Sequence, residues 1–331
     1  MENLSHLLLF LLSGAVIWFF AGMLIDSIIR VAKRFHQNGF TIAFFILGIL
    51  TSISEISVML NSSINKVPQV SAGNLSGASF VILLFIIPFL AIGGDGIQLK
   101  NTLTKKQLAL TLFVTLLPTL FLLDGRVNIS EGLICLLSYG SLLYFIRRTK
   151  EQSVPQIVEE VEEDLINKQT ATVKDVLKIA GGAVFIFLSG HLLVEETVFF
   201  ANALSVPASI IGLLLLSIGT NAPELVIAFR SILKRRKDVA FGDYLGSTLA
   251  NTATFGILAL LNPNFRVESS EFFLTGILMI IGFVTFYFFA TSKHKISRME
   301  GFILISLYGF FVISQLTKMI IFANDQINIL Q

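Results

Sequence analysis

Charge is what this chain lacks most. Asp, Glu, Lys and Arg make up 14% of its 331 residues, against about 25% in a soluble domain. So thin a polar supply cannot clothe a folded surface in water when 54% of the residues are hydrophobic and 31 are Phe. Cysteine is nearly absent too. The single Cys135, inside an apolar run, excludes a disulfide framework and a thiolate metal cluster. Histidine occurs at four scattered positions, His6, His36, His191 and His294. No Ser/His/Asp order, phosphate-cradling glycine loop or nucleic-acid signature accompanies them, so the chain does not read as an enzyme or a nucleic-acid binder. The N-terminus has no basic n-region and no small-x-small cleavage site, and reads as a first membrane span rather than a signal peptide.

What the chain has is long apolar runs. They fall near 6–29, 40–64, 70–92, 107–123, 128–146, 174–200, 208–233, 240–261, 272–291 and 301–322, most of them close to the length of about 20 residues that crosses a bilayer. The expected fold class is an all-α integral membrane protein of about ten transmembrane helices. Residues 1–146 form a first five-helix repeat, 147–173 a cytoplasmic linker and 174–331 a second repeat. The linker carries Glu151, Glu159, Glu160, Glu162, Glu163 and Asp164, without the ligand spacing or turn glycine of an EF-hand, and reads as a solvated segment.

Basic residues orient the spans. With the N-terminus outside, the inner segments hold Arg30, Lys33, Arg34, Lys100, Lys105, Lys106, Arg147, Arg148, Lys150, Lys168, Lys174, Arg230, Lys234, Arg235, Arg236, Lys237, Lys293, Lys295 and Arg298. The outer ones hold Lys66, Arg126, Arg266 and Lys318. This bias places both termini on the non-cytoplasmic side of a plasma (inner) membrane. Five spans per half also force the second half to start on the opposite side, so the repeats are inverted.

A direct overlay supports the duplication. Ile42–Ile82 lies on Ile211–Asn251 without a gap, pairing Thr51 with Thr220, Glu55 with Glu224, Gly73 with Gly242 and Gly77 with Gly246. Each stretch buries one acid inside an apolar segment. A carboxylate at bilayer depth costs roughly 2.5–3.5 kcal/mol on insertion scales, so it needs a partner and marks function. Two at matching places point to one cation site shared between halves. Pro223 lacks an N–H and clashes with the carbonyl four residues back, so the helix is expected to open around 217–220 and expose carbonyl oxygens. Thr220 and Glu224 are i, i+4 and share a face. Hydroxyl, amide, carbonyl and carboxylate oxygens from two such segments match a hard cation such as Ca²⁺, which takes six to eight oxygens. The glycine pairs spaced by four are packing positions.

Gly219-Thr220-Asn221-Ala222-Pro223-Glu224, followed by Gly242-Asp243-x-x-Gly246-Ser247-x-x-x-Asn251, resembles the second repeat of the cation/calcium antiporter superfamily, whose best-known members are the sodium/calcium exchangers. Thr51-Ser52-Ile53-Ser54-Glu55 and Gly73-Asn74-x-x-Gly77 resemble the first repeat less closely. The resemblance implies that Thr51, Glu55, Thr220 and Glu224 form a divalent-ion site. It implies that Ser52, Asn221, Ser247 and the carbonyls near Gly48 and Ser217 serve monovalent ions, that Asn251, neutral rather than acidic, is a further ion ligand, and that Asn74 and Asp243 have a secondary role. The first repeat departs from the family pattern at Ser54, where proline is usual, at Ala78, where serine is usual, and at Ile82, where Asn or Asp is usual.

The implied function is secondary antiport of Ca²⁺ against Na⁺ or H⁺ by alternating access, without a cofactor, with inorganic cations and the lipid bilayer as partners. The alternatives are a proton-coupled or other divalent exchanger, or a non-transporting sensor derived from one. The first and sixth spans are the expected sliding pair, with Gly14, Gly22, Gly181, Gly182 and Gly190 as small faces.

Overall fold

The computed structural model describes residues 2–34, 52–94, 96–99, 103–150, 173–222, 224–225, 228–229, 232, 237–293 and 295–329. Ten helices run through these segments. The first half contributes α1 (Glu2–Arg34), α2 (Ile53–Ile64), α3 (Pro68–Gly93), α4 (Lys105–Phe121) and α5 (Ile129–Lys150). The second contributes α6 (Val173–Ala203), α7 (Ala208–Thr220), α8 (Lys237–Leu261), α9 (Ser269–Ser292) and α10 (Arg298–Ile329). Six of the ten contain stretches long and apolar enough to cross a membrane by themselves, in α3, α5, α6, α8, α9 and α10. The expected second span, 40–64, lies within the described residues only from Ser52 onward, and the linker only at its margins.

Local sequence explains the helix boundaries. Pro68 opens α3, where its missing N–H costs nothing. Thr104 and Gln107 form a reciprocal capping box that starts α4. Within α3 the backbone widens to a π turn at Ile82–Ile86 just before Pro88, and Ile87 N–H bonds the Ile82 carbonyl. A second π turn, Gly212–Leu216, interrupts α7. Such turns shift the register of the helix surface that follows.

Four two-residue strands report the symmetry. β1 (Ile97–Gln98) joins α3 to α4, β2 (Arg126–Val127) joins α4 to α5, β3 (Phe265–Arg266) joins α8 to α9, and β4 (Lys295–Ile296) joins α9 to α10. Their pairing is antiparallel, β1 with β4 and β2 with β3. The third-to-fourth connection of each repeat thus meets the fourth-to-fifth connection of the other. Repeats running the same way through a membrane would leave those two connections on opposite faces. Inversion puts them on the same face, twice over. The fold is two inverted five-helix repeats.

α3 is central, and every residue from Val70 to Leu84 is buried. Its neighbours α7, α8, α9 and α10 close a core around Phe80, Leu83, Leu213, Tyr244, Phe283 and Phe311. α1 and α6 lie together at the edge, joined by Phe10, Ile17, Ile186, Leu193 and Val194, and lean on Val58 of α2 and Leu216 of α7. Large apolar side chains such as Phe19, Phe185, Phe288, Phe302 and Phe310 point outward, as a lipid-facing surface requires.

The glycines divide into two kinds. A Cβ at Gly73 or Gly77 would overlap the main-chain carbonyls of Ser209 or Leu213, and one at Gly212 the carbonyl of Val70. These positions let α3 and α7 touch backbone to backbone, the packing role expected of small residues in membranes. Gly14 and Gly181 instead face open space, and Gly190 is filled by Ser57 of α2. The expected smooth glycine faces on α1 and α6 are therefore not uniform.

Candidate cation site

The site forms where α2 begins and α7 ends, against α3 and α8. Ser52 precedes α2 with a non-helical backbone, and Ser54 and Glu55 occupy its first turn. A carboxylate at a helix N-terminus sits in the favourable field of unpaired backbone N–H groups. α7 stops at Thr220, and Asn221 leaves the helical conformation. The opening expected at 217–220 is therefore not found there: Ser217–Thr220 stay helical, and the backbone departs only at Asn221, two residues before Pro223, which itself lies outside the described residues. Beyond it the helix resumes, with Leu225 N–H bonding the Asn221 carbonyl at 3.2 Å. Glu55 and Glu224 are each 1% exposed.

Direct bonds knit the two repeats together here. Ser54 donates its hydroxyl to Glu55 Oε2 at 2.7 Å and lies 3.2 Å from the main-chain oxygen of Thr220. Thr220 donates its own hydroxyl to Asn74 Oδ1 of α3 at 3.2 Å, and that hydroxyl also faces the Glu55 carboxylate. Thr220 thus meets three first-repeat residues while standing one turn before Glu224. On the far side, Tyr244 of α8 donates to the Glu224 carbonyl at 3.0 Å, which fixes the resumed helix against the core.

Several buried polar atoms on the segments that meet here have no hydrogen-bond partner among the described residues: Ser52 Oγ, Glu55 Oε1, Asn74 Nδ2, Asn221 Oδ1 and, further along α8, both amide atoms of Asn251. Buried polar atoms are nearly always paired, because leaving one bare is expensive. Most of these atoms are oxygens, the ligand type of a hard cation. No group of three or more His, Cys, Asp or Glu gathers among the described residues, here or elsewhere, so a cation at this junction would rely on hydroxyl, amide and main-chain oxygens beside the two acids.

Eight of the sequence-derived positions are buried side chains on the elements that meet at this junction: Ser52, Glu55, Asn74, Ser217, Thr220, Asn221, Glu224 and, on α8, Asn251. Ser247 is buried one turn before Asn251. The Ser217 carbonyl is already engaged, accepting Asn221 Nδ2 at 2.7 Å and Asn221 N–H at 3.3 Å. Asp243 lies on α8, but its side chain is outside the described residues, as are Thr51 and Gly48 altogether. Asn74, given a secondary role from sequence, is a direct partner of Thr220. Ser54 and Tyr244 were missed. A hydroxyl next to an intramembrane acid was the available signal for Ser54, hidden by reading the position only as a lost proline. In the first repeat Ala78 and Ile82 are buried and apolar, where the overlay sets Ser247 and Asn251 in the second.

Of the four histidines, His36 and His294 lie outside the described residues, and His6 and His191 bond to partners away from this junction. His6 Nδ1 is 2.8 Å from Glu196 Oε2 and its ring stacks on Phe199, joining α1 to α6. His191 pairs with Glu195 at 3.3 Å on a half-exposed face of α6.

Comparison with known proteins follows the same division into halves. A family model described as sodium/calcium exchanger protein matches residues 5–147 and again 175–317. The sodium/calcium exchanger MaX1 of Methanosarcina acetivorans is 30% identical over 141 residues, 42% of this chain and 40% of that one. An uncharacterised membrane protein of Methanocaldococcus jannaschii is 26% identical over 279 residues, 84% of this chain and 87% of its own. The putative antiporter CaxA of Alkalimonas amylolytica is 26% identical over 236 residues, 70% and 73% of the two chains. Among solved structures, the sodium-calcium exchanger NCX_Mj superposes with a TM-score of 0.64 at 21% identity, covering 94% of this chain and 99% of its own.

Proposed function

The chain belongs to the sodium/calcium exchanger protein family, and from that premise we propose that it is a secondary antiporter exchanging Ca²⁺ for Na⁺ by alternating access. Thr220 carries the reading. Its hydroxyl reaches Asn74 and its carbonyl meets Ser54, so acids from opposite repeats are held about one shared, dehydrated position.

The divalent ion is held by Glu55, Glu224, Thr220 and Thr51. Ser52, Asn221, Ser247, Asn251 and the main-chain oxygens near Gly48 and Ser217 take part in monovalent binding. Asn74 orients Thr220, Ser54 orients the Glu55 carboxylate, and Asp243 supports α8. With both carboxylates ionised, the empty site holds two negative charges in a medium of low dielectric, which is costly. One Ca²⁺ or two Na⁺ cancel that charge. A loaded carrier can then cross and an empty one cannot, which makes exchange obligatory. The α1–α6 pair at the edge of the core is the element that moves to uncover the site from one side and then the other. Residues 1–146 and 174–331 act as the two repeats about the linker 147–173, in a plasma (inner) membrane with both termini outside.

A proton in place of Na⁺ is the second reading. Ala78 and Ile82 favour it, since they remove oxygen ligands that the second repeat retains. Both readings are tested by ⁴⁵Ca²⁺ uptake into proteoliposomes with a sodium gradient and a proton gradient imposed separately. Uptake driven by the sodium gradient supports the first, uptake driven only by the proton gradient supports the second, and uptake under neither rejects antiport.

A further inference from the structure

We infer that Ser57, Asn61 and Gly190 form a single-register clamp between α2 and α6, which holds the α1–α6 pair in one of its two transport positions and sets the balance between them. The inference rests on the antiport reading for its transport consequence, but the clamp itself is a contact already made.

Ser57 and Asn61 are one turn apart on α2. Ser57 donates its hydroxyl to the Ile186 carbonyl of α6 at 2.9 Å. Asn61 Nδ2 donates to the Phe187 carbonyl at 3.0 Å and to the Ser57 carbonyl at 2.9 Å. Both side chains are buried, at 5% and 2% exposure. One turn further, Asn65 Nδ2 lies 3.5 Å from His191 Nδ1, continuing the same stripe. Each acceptor is a main-chain carbonyl with a second lone pair to offer, so the bonds do not disturb α6 itself.

Carbonyls recur on every turn of a helix, every 5.4 Å, so carbonyl acceptors alone would let α6 slide one turn and bond again. Gly190 prevents this. A Cβ there would overlap Ser57 Oγ and stand 3.3 Å from Asn61 Nδ2. One turn either way, α6 presents Ile186, Phe187, Leu193 or Val194 at the corresponding place, and none leaves room for the serine. The polar bonds therefore close in one register only. In lipid the broken state finds no water to compensate it, so the clamp favours the position in which it is closed.

The second repeat does not copy the Ser57 side of the clamp in its sequence. The overlay of the two repeats sets Val226 opposite Ser57 and Arg230 opposite Asn61. Valine has no hydrogen to donate, so the inverted copy of this contact cannot be the same bond. Two repeats with identical clamps would favour neither transport position. Unlike contacts in the two repeats tilt the equilibrium, and the tilt is set by residues outside the cation site.

The test uses the full chain with Cys135→Ala, spin labels at Ile64→Cys on α2 and Ala203→Cys on α6, and electron–electron distance measurement in proteoliposomes. One distance should dominate with the clamp intact. Ser57→Ala and Asn61→Leu, each alone, should raise a second distance population about threefold or more, a shift of the kind that removal of a state-specific contact produces. Equilibrium ⁴⁵Ca²⁺ binding of the detergent-solubilised protein should meanwhile change by no more than that loss of bias, while the rate of Ca²⁺–Ca²⁺ exchange changes more. Gly190→Ala should repeat the shift; should that variant fail to fold, the two α2 variants decide. Distance distributions left unchanged by Ser57→Ala and Asn61→Leu would overturn the clamp. Failure of the antiport reading looks different: the unsubstituted protein would show no exchange, while the distances still respond.

Discussion

Asn74 and Thr220 come from opposite repeats, yet Asn74 Oδ1 accepts the Thr220 hydroxyl at 3.2 Å. That bond, at 0% exposure on both sides, holds the end of α7 against the centre of α3. Asn74→Leu keeps the volume and removes the acceptor. Loss of a neutral buried hydrogen bond is worth about 0.5–1.5 kcal/mol, and the freed Thr220 hydroxyl can turn away from the ion. Ca²⁺ affinity should fall roughly two- to tenfold on that basis, read by ⁴⁵Ca²⁺ filter binding. Affinity unchanged in Asn74→Leu would show that Thr220 is placed without it.

Glu55 and Glu224 should matter far more. Glu55→Gln and Glu224→Gln preserve shape and remove one of the two charges that balance a divalent ion. Interactions of a charged group with its ligands are worth about 1.5–3 kcal/mol each, and a dehydrated Ca²⁺ loses more than one. Either variant should lower ⁴⁵Ca²⁺ flux in proteoliposomes by about 100-fold or more. A wild-type rate in either would end the shared-site reading.

Ser54 supplies a separate prediction because proline is the residue expected there from the family pattern. Its hydroxyl reaches Glu55 Oε2 at 2.7 Å, the length of a charge-assisted bond. Ser54→Ala should weaken Ca²⁺ binding by about tenfold. Ser54→Pro removes the same donor and, in the first turn of α2, costs no intrahelical bond, so it should weaken binding about as much as alanine; titration calorimetry on both variants checks this. Alanine binding as tightly as serine would reduce Ser54 to a helix-start residue.

The parts of this molecule that could be read in advance are those that repeat. Ten apolar runs mark the spans because lipid imposes a length and a polarity on each, and the 169-residue offset between Glu55 and Glu224 exposes the duplication. Inversion was legible from an odd span count and from Lys and Arg placement. The β1–β4 and β2–β3 pairs were not, since two-residue strands are too short for alternation to register. Tyr244 escaped for another reason: it acts through the main-chain carbonyl of Glu224, and every residue has one. The Ser57–Asn61 contact with α6 was invisible likewise. Gly190 looked like a sliding surface because sequence shows that a residue is small and not what fills the space.

The glycines yield a paired prediction on stability. Gly73→Ala and Gly77→Ala put a methyl into the carbonyls of Ser209 and Leu213, where main chain cannot yield cheaply. Overpacking costs about 1–3 kcal/mol and occasionally more, so both should lower the melting temperature of the detergent-solubilised protein. Gly181→Ala, with nothing within 4 Å of the added atom, should leave it unchanged and gain slightly from helix propensity. Equal effects at all three positions would mean that α3 and α7 do not depend on close approach.

The apolar pair in the first repeat offers a gain-of-function test. The overlay sets Ala78 against Ser247 and Ile82 against Asn251, so the second repeat offers two polar side chains where the first offers none. Ala78 is at 0% exposure, so a serine there adds an oxygen inside the protein with little added volume. Ile82 is harder, because it begins the π turn of α3 inside the apolar core. An asparagine there must find a partner or cost about 1–3 kcal/mol. Ala78→Ser should therefore be made first, and Ile82→Asn added to it. If missing oxygens limit monovalent binding, sodium should compete with ⁴⁵Ca²⁺ at several-fold lower concentration in Ala78→Ser, and lower still in the double variant. The comparison should be made at fixed pH, so that a proton competing for Glu55 and Glu224 is held constant. Sodium competition unchanged in both variants would place the limit elsewhere, with Asn251 in the second repeat the next position to restore, as an acid.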